Sequence, residues 1–432
     1  MEECPLSSTH LVSAIDVHDF GAQTVRVGDL NGDGAPDLLF VQSVYGTREI
    51  TCMTAVTITG EVLWQRGEPD PDNGGLYSDL PVQVYDWDGD GRNEVLYVQQ
   101  ATYAELHDPT RPYVERALRY EGEAALLVLD AATAEPKSWL PLPAPADDSF
   151  LFADLTGRGR RADLVVKDRY WNMWGVSAEG DVLWHWEGST GHYPAYGDVD
   201  GDGRDEVFVG YALIDDDGTV LFEADPEGAH QDAAYIVQLP DGEWRLVFGN
   251  HGIHCLAVDG TQLWHHPLAE AQHVVAGHFR PDLGPVQFMV IDRGQPRPGG
   301  DRHPATLSLY DLDGREVWRR VQPEGSCYAA CVELDWSGAG EAREVVVYGR
   351  GAGNPAVVYD GQGDVVDWLE MRYAEGRSES GEPQKAYVTR ADVWGDSRQE
   401  VVMFEPGGAC IWANARPLAL PTLYNNTLYP GM

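Results

Sequence analysis

One acidic pattern returns along the chain and restricts it to a repeat architecture. Residues 27–41 read VGDLNGDGAPDLLFV, residues 84–98 read VYDWDGDGRNEVLYV, and residues 196–209 read YGDVDGDGRDEVFV. Weaker copies begin at Asp154, Asp335 and Asp392, and two eroded copies lie near Gln238 and His278. Taking Asp29, Asp86 and Asp198 as the anchors of the full copies, the eight anchors are spaced 57, 68, 44, 40, 40, 57 and 57 residues apart. A period of this length marks stacked supersecondary units, none of which buries its apolar face alone.

Every unit has the same order of parts. An apolar run enters the acidic loop, and a run of Val, Leu and Phe leaves it. Then comes an Asp-Gly turn or its equivalent, followed by a short strand ending in an aromatic, as in Gly60–Trp64, Gly180–Trp184, Gly260–Trp264 and Gly314–Trp318. Short β-branched runs bounded by Gly, Asp and Asn are strands joined by hairpins. Four such strands per unit, repeated around a ring, make an all-β β-propeller. The anchors give eight blades, or seven if one eroded unit is misread. The last unit has strands near 385–393, 400–404 and 409–414 and lacks a fourth, while a spare apolar segment, His10–Val17, precedes the first anchor. That N-terminal strand is expected to complete the last blade and remove the open sheet edges at the seam. The expectation is one propeller over residues 1–432, with no separate second domain.

The three full loops are expected to hold calcium. Their oxygen-bearing side chains alternate: Asp29, Asn31, Asp33 and Asp37; Asp86, Asp88, Asp90 and Glu94; Asp198, Asp200, Asp202 and Glu206. Carboxylates converging on a tight Gly-containing loop repel one another without a cation, and calcium tolerates irregular oxygen cages better than magnesium does. The EF-hand is excluded, because its twelfth loop position is Glu and here it is Phe40, Tyr97 or Val209. The alternative is a set of Asx turns without metal. At the fifth position of the Asp154 loop stands Arg158, an internal charge in place of an ion, and the Asp335 and Asp392 loops lack full ligand sets.

The chain carries 30 basic and 70 acidic side chains, a net charge of −40, which argues against nucleic acid and anionic membrane as partners. Its 43% hydrophobic content excludes disorder as the source of that acidity. No apolar stretch is long enough to span a bilayer. Without a visible signal peptide the expected compartment is the cytoplasm, or the exterior if an export signal precedes this sequence. The six scattered cysteines are expected to be buried, reduced thiols, and the protein a monomer.

If the acidic loop joins the innermost strand to the second, the opposite rim gathers a polar, aromatic set around the channel. His192, His230 and His273 enter the inner strands of successive blades there. Beside them fall the loops containing Lys167, Arg169, Tyr170, Trp171, Asn250, His254 and Arg293. Trp171, Trp174, Tyr170 and Tyr193 offer faces for sugar rings, and a polar, aromatic-lined mouth is a typical ligand site.

The chain resembles calcium-binding propeller repeats of the FG-GAP or VCBS type over nearly its whole length. Within these it is similar to propeller polysaccharide lyases of the rhamnogalacturonan and rhamnose–glucuronate type. These carry a His-Tyr pair ahead of an acidic loop, here His192-Tyr193 before Asp198, and a Gly-His-Gly-Asp-Ala segment, here Ala229-His230-Gln231-Asp232-Ala233. The resemblance implies β-elimination on an oligo- or polysaccharide of rhamnose and uronic acid, with calcium as cofactor. Arg169 would neutralise the uronate, His192 or His230 would take the C5 proton, and Tyr170 or Tyr193 would donate to the leaving oxygen. Lys167, Trp171, Asn250, His254, His273 and Arg293 would bind substrate. The rival reading is a non-catalytic, calcium-stabilised propeller that binds glycans or proteins.

Overall fold

The computed structural model describes residues 8–418 apart from 22–23, 45–47, 70–78, 101–121, 148–149, 169, 228, 294–303, 323–328, 339, 341, 350–354 and 375–385. Within them the chain forms eight four-stranded antiparallel sheets. Their inner strands define blades 1 to 8: Thr24–Gly28, Val82–Tyr85, Leu151–Ala153, Ala195–Gly197, Ala233–Gln238, Ala271–Gly277, Ala329–Leu334 and Tyr387–Ala391. The sheet containing Tyr387–Ala391 takes Thr9–Asp16 as its outermost strand, paired with Gly408–Asn414. The eight-blade count and the N-terminal closure expected from the repeats are both present. Helix is confined, among the described residues, to two three-residue turns.

The core lies between blades. Second strands are buried along their length, as in Asp37–Ser43 and Gln287–Asp292, whereas outer strands alternate toward solvent. Leu39, Val41 and Met53 of blade 1, for instance, interlock with Val82, Val95 and Tyr97 of blade 2. Each sheet therefore needs its neighbour, as the repeat implied.

In four units the aromatic of the outer strand proves to be a stitch between blades. Trp64 Nε1 donates to the Ala131 carbonyl at 2.7 Å, Trp184 to Asp216 at 2.8 Å, Trp264 to Leu312 at 2.9 Å and Trp318 to Gly361 at 3.0 Å. Each acceptor belongs to the hairpin turn of the next blade. Two residues on, Arg66, His266 and Arg320 add a second bond to Ala134, Gly314 and Gly363 of the same turns. Beneath the Trp264 ring the turn residue is glycine, since a Cβ on Gly314 would stand 2.6 Å from that ring and its φ is +83°, whereas the longer turn of blade 2 carries Ala134 at φ +58°. Sequence alone revealed the Asp-Gly turn and the aromatic of each unit, but not that the aromatic reaches the turn of the following blade.

A bulge recurs in the outer strand of all eight blades. One residue is left unpaired, at Val12, Leu63, Lys137, Leu183, Leu221, Leu263, Val317 and Val366. Seven are aliphatic and one is lysine. Four cysteines, Cys52, Cys255, Cys331 and Cys410, are buried and free, and Cys4 and Cys327 lie outside the described residues. No described helix is long and apolar enough to cross a membrane.

Candidate functional site

The acidic loops join inner to second strands and so occupy one rim. Glycines at their fourth and sixth positions take positive φ in open space, for example Gly201 at +84° and Gly203 at +89°. This lets the first carboxylate gather two backbone donors: Asp198 accepts from Gly201 and Gly203 at 2.7 and 3.1 Å. The ninth residue accepts the second residue's N–H, Leu30 to Asp37, Trp87 to Glu94 and Val199 to Glu206. One oxygen of that carboxylate thus closes the turn and the other is directed back into the loop.

In the loop of blade 4, Asp198, Asp200 and Glu206 bring ligand atoms within 4.8 Å of one another. Glu206 is fully buried, and its second oxygen, Oε1, meets no hydrogen-bond donor among the described residues. Burial, with Asp200, Asp215 and Asp198 nearby, pushes the Glu206 carboxyl up to about 8. An orphaned carboxylate oxygen amid like charges suits a hard divalent cation, so these residues fit calcium. Asp202 faces Glu206 and Asp216 in a second acidic group. Asp29, Asn31 and Asp33 of blade 1 repeat the same turn geometry.

The blade 2 loop differs. Asp86, Asp88 and Asp90 converge, but Lys137 Nζ stands 2.7 Å from Asp88 Oδ2 and 2.6 Å from Glu94 Oε1. In the Asp154 loop, Arg158 lies 3.9 Å from Asp163 and pairs with Glu179.

On the opposite rim a cavity of about 220 Å³ opens into the channel, bordered by His192, Tyr193, Asp232, Gln272, His273 and, across from them, Arg26. His192 and His230 come from adjacent blades, and their Nε2 atoms point at one oxygen, Asp232 Oδ1, from 3.9 and 3.6 Å. Tyr170 lies behind them, its hydroxyl 3.3 Å from His192 Nε2 and its ring 4.5 Å from that of His230. Gln272 Nε2 donates to Asp232 Oδ1 at 3.0 Å, and Arg293 holds Gln272 and Glu270 in turn. Arg26 is fixed by Asp79 at 2.7 Å and by backbone carbonyls. The separations among His192, His230 and Asp232 exceed hydrogen-bond length. They match what two donors roughly 2 to 2.5 Å from a shared ion would span, so these three side chains could hold a metal.

The structure thus brings together His192, His230, Tyr170, Tyr193 and His273, and ties in Arg293 through Gln272. It sorts the two tyrosines: Tyr170 is buried and Tyr193 is exposed at the cavity. Other expected site residues stand apart from the cavity wall. Lys167 is buried and donates to the Asp168 carbonyl, while the Trp171 backbone bonds the Asp168 carboxylate. Asn250 donates to the Tyr211 hydroxyl and its Oδ1 accepts from His254 Nε2, and the His254 ring is stacked between Phe248 and His265. Trp174 stacks on His185 rather than facing the channel. Arg169 lies outside the described residues. Gln272, Arg26 and Asp79 were not singled out by sequence, and Asp232 stood there only within the segment 229–233, without a role of its own. Asp232, two residues after His230, carried the one available signal.

Comparison with known proteins finds no matching family model and no matching curated protein. Solved structures do match. The exotype rhamnogalacturonan lyase YesX is 19% identical, with a TM-score of 0.62, over 92% of this chain and 73% of that one. The Bacillus licheniformis rhamnogalacturonan lyase PL11 is 20% identical at 0.62, over 92% and 72%. The V. cholerae biofilm matrix protein Bap1 is 15% identical at 0.63, over 95% and 91%. In fold, the chain is similar to the rhamnogalacturonan lyases. At these identities the likeness establishes the propeller, and it includes a biofilm matrix protein as well as lyases.

Proposed function

We propose that the protein is a carbohydrate-active propeller, a polysaccharide lyase that cleaves a rhamnose–uronate linkage by β-elimination at the His192–His230–Asp232 rim. The observation carrying this reading is the convergence of two imidazoles, a buried carboxylate and an exposed tyrosine on one channel cavity. The His-Tyr pair and the His-x-Asp segment that gave the resemblance are the segments that meet there. Solved neighbours that are rhamnogalacturonan lyases support the same reading.

β-Elimination needs the uronate carboxylate neutralised, the C5 proton removed and the leaving oxygen protonated. His192, at the cavity with Tyr170 behind it, would take the proton as general base. Tyr193 is the tyrosine with access to a leaving oxygen. Asp232 orients both histidines, and Gln272 fixes Asp232. Arg26, which lines the cavity across from His192, would neutralise the uronate carboxylate, the role that the resemblance gives to Arg169. Calcium in the loops of blades 1 and 4 would stabilise the scaffold.

The test is incubation with rhamnose- and uronate-containing polysaccharides while the ultraviolet absorbance of an unsaturated uronate is followed. Product formation that His192→Ala abolishes supports the lyase. Measurable glycan binding with no unsaturated product across a broad substrate panel would make the protein a binding propeller instead.

A further inference from the structure

The loops of blades 2 and 4 form a matched pair. In each, the ninth-position glutamate is buried and gives Oε2 to the second residue's N–H: Trp87 N to Glu94 at 2.9 Å, Val199 N to Glu206. In each, the first carboxylate gathers the N–H groups of the fourth and sixth residues, at 2.9 and 3.1 Å for Asp86. The difference is at Oε1. That atom of Glu206 meets no donor among the described residues, whereas that of Glu94 receives the Lys137 ammonium at 2.6 Å.

We propose that Lys137 is the resident cation of the blade 2 loop, a tethered ammonium that takes calcium's place, so that this loop binds no metal. The inference rests on the calcium reading of the blade 4 loop.

Three observations carry it. The ammonium stands 2.6 and 2.7 Å from Glu94 and Asp88 and 3.8 Å from Asp90. Calcium–oxygen distances are about 2.3–2.6 Å, so an ion bound by the same oxygens would occupy nearly the same point. Further, Lys137 sits at the outer-strand bulge, where the other seven blades carry leucine or valine, Leu221 in blade 4 among them. The recurrent bulge therefore delivers the side chain to the loop, and a single residue type decides whether it arrives with charge. Finally, further cations surround this loop: Arg160 donates to the Trp87 carbonyl, and Arg92 lies 3.8 Å from Asp90. The blade 4 loop also has nearby arginines, Arg161 on Asp205 and Arg204 on Asp216, but among the described residues none donates to Glu206 Oε1.

The experiment counts bound calcium by calorimetric titration of the chelator-stripped full chain and reads its melting temperature in chelator. Lys137→Leu, which installs the residue of the other blades, should raise the calcium count by one, and adding Asp88→Asn should remove the gain. Asp88→Asn alone should leave the natural count unchanged, and Leu221→Lys should lower it by one. A natural chain that loses one calcium with Asp88→Asn, and gains none with Lys137→Leu, overturns the proposal. If the natural chain binds no calcium at all, the calcium reading fails separately. The lysine is then judged by stability: a lower melting temperature for Lys137→Leu in chelator supports it as the loop's cation, and an unchanged one overturns it.

Discussion

The contact between Trp264 and Gly314 makes a quantitative test of how blades hold together. Trp264 lies over the turn of the next blade and donates to Leu312 at 2.9 Å. Gly314 has φ +83°, and a Cβ there would come within 2.6 Å of the ring. Gly314→Ala should therefore cost two separable terms. The left-handed backbone costs an L-residue about 1–2 kcal/mol, and the clash with the indole adds an overpacking term of about 1–3 kcal/mol. Gly242, at φ +91° with nothing within 4 Å of its Cβ position, isolates the backbone term, so Gly242→Ala should cost only about 1–2 kcal/mol. Trp264→Ala should cost about 3–5 kcal/mol through lost packing, together with a carbonyl left without its partner. In the Trp264→Ala background the clash has no ring to meet, so Gly314→Ala should fall to the Gly242→Ala value. The coupling energy is then about 1–3 kcal/mol. Equilibrium urea denaturation of the two single variants, the double variant and Gly242→Ala measures every term. If Gly314→Ala costs the same with and without the tryptophan, the ring does not press on this turn and the reasoning is refuted.

His254 predicts a pH dependence. Burial, with His265 beside it, lowers its pKa from 6.5 to about 4. The unfolded chain therefore binds that proton first, so its contribution is intact above pH 6.5 and is lost as pH falls toward 4, up to about 3 kcal/mol. His254→Phe should lose less stability over that interval than the natural protein, and equal losses would exclude His254 as the source. Chelation should lower the melting temperature, since a site held at a hundredfold excess over its Kd contributes about 2.7 kcal/mol. Asp200→Asn should remove much of that calcium dependence, and scanning calorimetry with and without calcium checks it. His192→Ala should reduce lyase turnover by about 10²–10⁴-fold, with the circular dichroism spectrum unchanged. Gln272→Leu, which frees Asp232, should lower kcat and shift its pH profile, whereas a purely structural role would leave the profile in place.

The scaffold was readable because its signals are local. Glycines at positive φ, Asx turns and β-branched runs act within a few residues, so the repeat, the blade count and the closing strand followed from pattern. The rim that gathers His192, His230 and His273 followed too, because topology places the inner-strand entrances of successive blades side by side. What the sequence could not show depends on side chains meeting across blades. Aligning the units puts Lys137 where Leu63 and Leu221 stand, but only the bulge and the folded sheet bring its ammonium, 43 residues from Glu94, into the acidic loop. Likewise His254 looked like its neighbours in the histidine-rich set until packing placed it between Phe248 and His265. Asp232 became the hub of the rim only when two blades aimed imidazoles at one of its oxygens. Sequence determined the ring and its acidic loops, because backbone and turn chemistry are short-range. Tertiary structure decided which loop carries its own cation and which polar residues share a cavity, because charge and contact act through space.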